Sequence, residues 1–237
     1  TVNGRSEILS LDSEEFRHYL TKLYLDREKG IIRPENISTV IHILKSKAYL
    51  EGEEKHLHNR VAFNDEALWY SLNDKAGTVI KVNSEGWGVP EKTEILFRKY
   101  PHQKEQVMPL KEGGDSKKIL GYVNIKGASS QLLFLASLHV AFIPNIAHPL
   151  NSFYGAQGSA KTTVGKMMKR IIDPSHTEVA PCPTDIKELI QQIFHHWFLV
   201  YDNLSYLKCD QSDILCQAIT GSATSKRKLY TDSDDVI

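Results

Sequence analysis

Phe153-Tyr154-Gly155-Ala156-Gln157-Gly158-Ser159-Ala160-Lys161-Thr162-Thr163 is the stretch from which the rest of this 237-residue chain is read. It is close to the phosphate-binding pattern G-x-x-x-x-G-K-[ST], with Gly155 as first glycine and Lys161-Thr162 as the closing pair. Small residues let successive backbone N–H groups turn inward around a polyphosphate, and the following helix points its positive dipole end at the same anion. Gly155, Ala156, Gln157, Gly158, Ser159, Ala160, Lys161, Thr162 and Thr163 would then cradle the phosphates. Lys161 would reach the β and γ phosphates and the Thr162 hydroxyl would bind Mg²⁺. Ala160 stands where the second glycine belongs. Since alanine resists positive φ, the loop is expected to hold it near helical geometry, with Gly158 supplying the freedom two residues earlier.

The flanks of the loop can be read in the same way. Val164, Met167, Met168, Ile171 and Ile172 repeat at i, i+3, i+4, i+7, i+8 and predict one apolar helix face, ending at Asp173-Pro174. Before the loop, His148-Pro149-Leu150-Asn151-Ser152-Phe153-Tyr154 makes a poor buried strand, because Asn151 and Ser152 interrupt it. Further on, Trp197-Phe198-Leu199-Val200-Tyr201-Asp202-Asn203 has the apolar run of a central parallel strand and ends in a carboxylate. Ligands of open α/β sheets sit at the carboxyl ends of strands, so Asp202 is placed to hold Mg²⁺ through water near Thr162. The alternative is a strand-ending Asp that starts a turn.

Lysine plus arginine balances aspartate plus glutamate at 29 each, so bulk charge does not draw the chain to nucleic acid or membrane. Cys182, Cys209 and Cys216 lack C-x-x-C spacing, which argues against a disulfide framework or zinc site and predicts a reducing, cytoplasmic setting. The longest apolar run, Leu132 to Ile143, falls short of the ~20 residues needed to span a bilayer. No signal peptide is visible, and since Thr1 is not an initiator residue the chain reads as a fragment.

In chain order, Ser13 caps a predicted helix carrying Phe16, Tyr19, Leu20, Leu23 and Tyr24 and stopping at Gly30. Pro34 opens a second, with Ile37, Val40, Ile41 and Leu44 on its buried face. From Leu57 short β-type runs alternate with Asn/Asp/Gly turns, predicting hairpins up to Arg98. This gives an N-terminal α+β domain over 1–98, a connector over 99–128 and an α/β core over 129–237 with a parallel sheet, incomplete at its C-terminus. A helix at Ser129–Phe142, apolar on most faces, should lie inside that core. Thr177–Ala180 is a strand candidate, and Asp185 with Glu188 predicts a capping box before the Ile186–Phe194 helix.

The order phosphate loop, helix, strand, helix, acid-ended strand resembles the P-loop ATPases of the AAA+ and superfamily-three-like helicase type found in phages, plasmids and integrative mobile elements, often beside primases. The residues that carry the resemblance are Gly155 to Thr162, Tyr201-Asp202-Asn203-Leu204-Ser205, and Thr220-Gly221-Ser222 through Ser225 to Asp232. Phe16 through the Trp69 and Trp87 hairpins also looks like the region preceding the ATPase in those proteins. The resemblance implies a ring-forming motor that hydrolyses ATP with Mg²⁺, moves along single-stranded or forked DNA and serves replication of the element. Lys161, Asp202 and Asn203 would be its catalytic residues, with Thr162 and Asp202 holding the metal. Many AAA+ proteins place Glu after the acid as the base that activates water. Asn203 can orient water but cannot accept its proton. The sensor strand and arginine finger would fall beyond Ile237, so this half should bind nucleotide better than it turns it over.

Lys226-Arg227-Lys228 reads either as a contact to nucleic acid or phosphate, or as a solvated turn offset by Asp232, Asp234 and Asp235. Lys117, Lys118 and Lys126 read as ordinary surface. His195-His196 would need a third ligand to hold a metal, and spacing offers none. Trp69, Tyr70 and Trp87 could stack bases, although hairpin aromatics are more often core. Three functions compete: an ATP-driven DNA motor, a nucleotide-gated DNA- or protein-binding switch with little turnover, and a small-molecule kinase, for which no lid or acceptor pattern is found.

Overall fold

The computed structural model describes residues 8–64, 66–93 and 95–220. The described chain falls into two compact units that divide between Leu57 and His58.

The first unit holds two helices, α1 (Glu14–Glu28) and α2 (Pro34–Glu51). Both start where the sequence predicts. The Ser13 hydroxyl accepts from Phe16 N at 3.1 Å, and Pro34 occupies the first turn of α2, where its missing N–H costs nothing. Lys29, one residue before the expected Gly30 stop, takes the left-handed conformation that ends α1. Lys45 pairs with Asp12, and Ile41 is the buried apolar residue of α2.

The second unit begins with a four-stranded antiparallel meander, β1 (Val61–Asn64), β2 (Ala67–Ser71), β3 (Val79–Asn83) and β4 (Gly86–Gly88). Side chains alternate between its faces. Val61, Tyr70 and Ile80 with Leu72 form one cluster; Ala62, Ala67, Trp69 and Val79 form another, covered by Ile95 and Phe97. The hairpins group with the 155–163 loop rather than with α1 and α2. Residues 99–106, expected as a connector, are stitched to their surroundings. Lys104 N donates to Pro174 O, His176 N to His102 O and Gln106 N to Leu72 O, at 2.8–2.9 Å.

A 3-10 helix (Ser116–Gly121) leads to α3 (Ala128–Val140), then α4 (Lys161–Ile172) follows the loop. These pack through Ile119, Phe134, Leu138, Val164, Met168 and Ile172. α3 is not buried all round: Phe134 and Leu138, at i and i+4, face the core while Leu132 and Leu133 are each 68% exposed. After α4 come β5 (Ala180–Pro181), α5 (Ile186–His195), β6 (Tyr201–Asp202) and α6 (Cys209–Thr220). Asp185 caps α5 through Lys187 N, but Glu188 accepts from Gln192 instead of closing a capping box.

The parallel-sheet core expected from the sequence is replaced by something smaller. In its place β5 pairs in parallel with β6, Ala180 opposite Tyr201 and Pro181 opposite Asp202. Two causes are visible. Pro181 has no N–H to extend the ladder, and the N–H groups of Trp197 and Phe198 go to the Asp173 carboxylate, not to a neighbouring strand. The stretch before the loop is likewise irregular, as its interrupting Asn151 and Ser152 foretold. Among the described residues no helix is long and apolar enough to cross a membrane.

Candidate functional site: the loop at 155–163 and Asp202

The loop turns tightly ahead of α4. Gly155 has φ +153° and an added Cβ would meet Ser159 Oγ at 2.9 Å, so any side chain here would be strained. Ser159 N closes a turn onto Ala156 O at 3.2 Å. Ala160 does not adopt the helical geometry expected of it: φ 62° and ψ 22° place it in the left-handed region, as the N-cap of α4. The turn requires that conformation here, and the methyl group is accommodated at a cost of about 1–2 kcal/mol. Ala160 supplies no side-chain cap, so the first-turn N–H groups of α4 have no side-chain acceptor.

Lys161 folds over the inside of the loop. Its Nζ donates to Gly155 O at 2.9 Å, to Ala156 O at 2.8 Å and to Ser159 Oγ at 3.3 Å. One residue on, Thr162 Oγ1 donates to Asp202 Oδ2 at 2.8 Å across forty residues of chain. The other carboxylate oxygen accepts from Asn203 N at 2.8 Å. These hydrogen bonds, Thr162 first, and the Lys161 charge hold the Asp202 carboxyl below its ordinary range, so it is anionic at neutral pH. Asn203 sits in the left-handed conformation at φ 54°, exposed beside it.

α4 lies against the segment leading to Asp202. A Cβ built on Gly165 would stand 2.6 Å from Val200 Cγ1, so the close approach depends on that glycine. At the other end of the helix is a buried charged cluster that the motif reading missed. Asp173, Lys169 and Arg60 are each at most 1% exposed. Arg60 Nε donates to Asp173 Oδ1 at 3.2 Å, and its remaining nitrogens donate to the carbonyls of Ser71, Lys104 and Pro174. Lys169 Nζ donates to Asp173 Oδ2 at 2.7 Å, Phe198 O at 2.5 Å and His196 Nδ1 at 3.2 Å. One carboxylate between two cations leaves surplus positive charge. Burial first, then the Lys169 charge, depress His196 to about 3, so it is neutral and accepts. The sequence did carry a signal: Lys169 and Asp173 stand i, i+4 at a helix end, and Arg60 directly precedes an apolar strand.

Residues 116–237, just over half of the chain, match the family described as actinomycete integrative conjugative element replication protein. The chain belongs to that family. No curated protein and no solved structure matches it. The family agrees with the replication role on a mobile element that the sequence resemblance implied.

In this replication protein the structure brings together Lys161, Thr162, Asp202 and Asn203, with Gly155, Ala156 and Ser159 contacting the lysine. Lys226, Arg227 and Lys228 lie outside the described residues. Trp69 and Tyr70 are core and closed to base stacking: Trp69 Nε1 donates to Asn64, and Tyr70 OH donates to Ile172 O at 2.9 Å. Trp87 packs on the cluster around Tyr70. His195 and His196 join an aromatic stack, His195 on Tyr100 and His196 on His102.

The residues at the loop suit a nucleotide with Mg²⁺. An anionic carboxylate and a hydroxyl adjoin uncapped helix N–H groups and a lysine. Among the described residues no group of three or more His, Cys, Asp or Glu could hold a metal. Mg²⁺ needs none, since it is commonly bound through one or two carboxylates, waters and substrate phosphates.

Proposed function

We propose that the chain is the nucleotide-binding part of an ATP-driven DNA motor that replicates its integrative element, built on a P-loop core of AAA+-like type reduced in its sheet. The Thr162–Asp202 contact at 2.8 Å, beside Lys161, carries this reading. The acid expected near Thr162 accepts directly from its hydroxyl, which supports reading the loop and the acid as one site.

In this reading the 155–163 backbone holds the phosphates, and Lys161 exchanges its carbonyl partners for the β and γ oxygens. Mg²⁺, held by Thr162 and Asp202, would neutralise charge developing on the γ-phosphoryl during transfer to water. Asn203 orients the water. The motor acts as a ring of identical subunits on single-stranded or forked DNA, with an arginine from a neighbour completing each site.

Asn203 favours a second reading, a nucleotide-gated switch that binds DNA or protein and turns over little. Its amide cannot take the proton from water, and its left-handed backbone turns it away from the strand direction. ATP turnover by the purified chain, with and without single-stranded DNA, separates the two. DNA-stimulated hydrolysis lost in Lys161→Ala supports the motor. Binding lost in the same variant, with no turnover in the wild type, supports the switch. Binding unchanged by Lys161→Ala refutes both.

A further inference from the structure

α4 and the segment Trp197–Asp202 run side by side in opposite directions and touch at three levels. Thr162 meets Asp202 at the loop end, Gly165 admits Val200 midway, and Lys169 and Asp173 grip Trp197 and Phe198 at the far end. Asp173 Oδ2 accepts from Trp197 N at 3.1 Å and Phe198 N at 3.2 Å, while Lys169 Nζ donates to Phe198 O. Both backbone polar groups of Phe198 are therefore taken by side chains from the last turn and the C-cap of one helix.

The spacing makes this grip consequential. From 162 to 169 a helix covers about 10.5 Å at 1.5 Å per residue. From 198 to 202 the chain, in strand conformation at Tyr201–Asp202, spans at most about 13 Å at 3.3 Å per residue. That upper limit exceeds the helix span by less than one extended residue, so fixing residue 198 against 169 limits the segment to the register in which Val200 lies on Gly165 and Asp202 meets Thr162. A slip of one residue would turn the Asp202 side chain to the other face.

We propose that Asp173, with Lys169, is a positioning pair that sets the register of Trp197–Asp202 on α4 and thereby places Asp202 opposite Thr162. Arg60, arriving from the hairpin sheet, fixes the orientation of the Asp173 carboxylate. The inference rests on Thr162 and Asp202 being the metal-holding pair. A buried ion pair kept for stability alone could be replaced by packed apolar groups. The two backbone N–H groups on Oδ2 give this one a directional task.

Asp173→Asn is nearly isosteric and removes the charge that holds both N–H groups and Lys169. Two measurements on the purified chain test it: ATP binding by calorimetry in EDTA and in Mg²⁺, and hydrogen exchange of peptides 155–162 and 197–203 without nucleotide. Binding in EDTA, which depends on the loop, should be unchanged. The tightening produced by Mg²⁺ should fall by about 10–100-fold, as when a group supporting a metal ligand is lost. Exchange should quicken in 197–203 and not in 155–162. Intact Mg²⁺ tightening, an equal loss in EDTA and Mg²⁺, or unchanged exchange in 197–203 would overturn the proposal. A wild type that binds no ATP sinks the nucleotide reading instead, and exchange alone then decides the register. If Asp173→Asn does not fold, Lys169→Arg keeps the charge but overreaches Phe198 O, and the same outcomes apply.

Discussion

Gly165 on α4 and Val200 ahead of Asp202 approach so closely that a single added methyl group would lie 2.6 Å from the valine side chain. Gly165→Val should therefore push helix and segment apart. Overpacking of this kind costs about 1–3 kcal/mol, only partly offset by the better helix propensity of valine. The urea midpoint should drop accordingly and, on the proposed function, Mg²⁺-dependent nucleotide binding should fall with it. A variant as stable as the wild type would show that the two elements do not pack as described.

Ala160→Gly tests the strained turn. Alanine in the left-handed region costs about 1–2 kcal/mol, whereas glycine adopts it freely but loses more entropy on folding. The net expectation is a gain of about 0.5–1 kcal/mol in unfolding free energy. At an ordinary helical position the same change destabilises, so the sign of the shift in chemical denaturation decides the matter.

Arg60→Ala removes five donors from the buried cluster and leaves Asp173 with Lys169 as its remaining cation. Breaking one arm of a buried charged network costs about 3–5 kcal/mol, an effect visible as a large fall in Tm. Arg60→Lys should recover only part, because an ammonium cannot reach the carbonyls of Ser71, Lys104 and Pro174 together. Full recovery by lysine would mean that charge, not the planar fork, is what the site needs.

Acid should destabilise the second unit early. Burial lowers His102, His148 and His196, the last to about 3. Below their ordinary value near 6.5 the unfolded chain binds protons that the folded chain does not, so stability falls as pH drops from about 6.5 toward 3. Each such group contributes at most about 1.4 kcal/mol per pH unit. Asp173 and Asp202, both lowered, add losses only below the ordinary carboxylate range. His196→Asn keeps an acceptor for Lys169 without the titration. Denaturant midpoints between pH 4.5 and 7.5 should then show a shallower slope; an unaltered slope would clear His196 of the effect.

Local chemistry made several elements readable in advance. Ser13 and Pro34 begin α1 and α2, and the 3.6-residue apolar repeat from Val164 to Ile172 marks α4, because caps and periodicity act within one or two helical turns. The loop motif and the acid-ended run were equally legible as words. The sheet was not. Tyr201–Asp202 forms a two-residue strand, although the apolar run suggested seven, since Trp197 and Phe198 give their N–H groups to a carboxylate from another element.

The sequence alone determined which residues have the chemistry for phosphate and metal: the glycines, Lys161, Thr162 and Asp202, whose types and spacing fix what each can donate or accept. Tertiary structure alone decided that Thr162 donates directly to Asp202, that Ala160 turns left-handed, and that Arg60, Lys169 and Asp173 share one buried cluster. The side-chain meetings depend on contacts between positions 40 and 113 residues apart. No local propensity encodes which distant partner a buried charge will find; the requirement that every buried charge be satisfied is met only once the chain is packed.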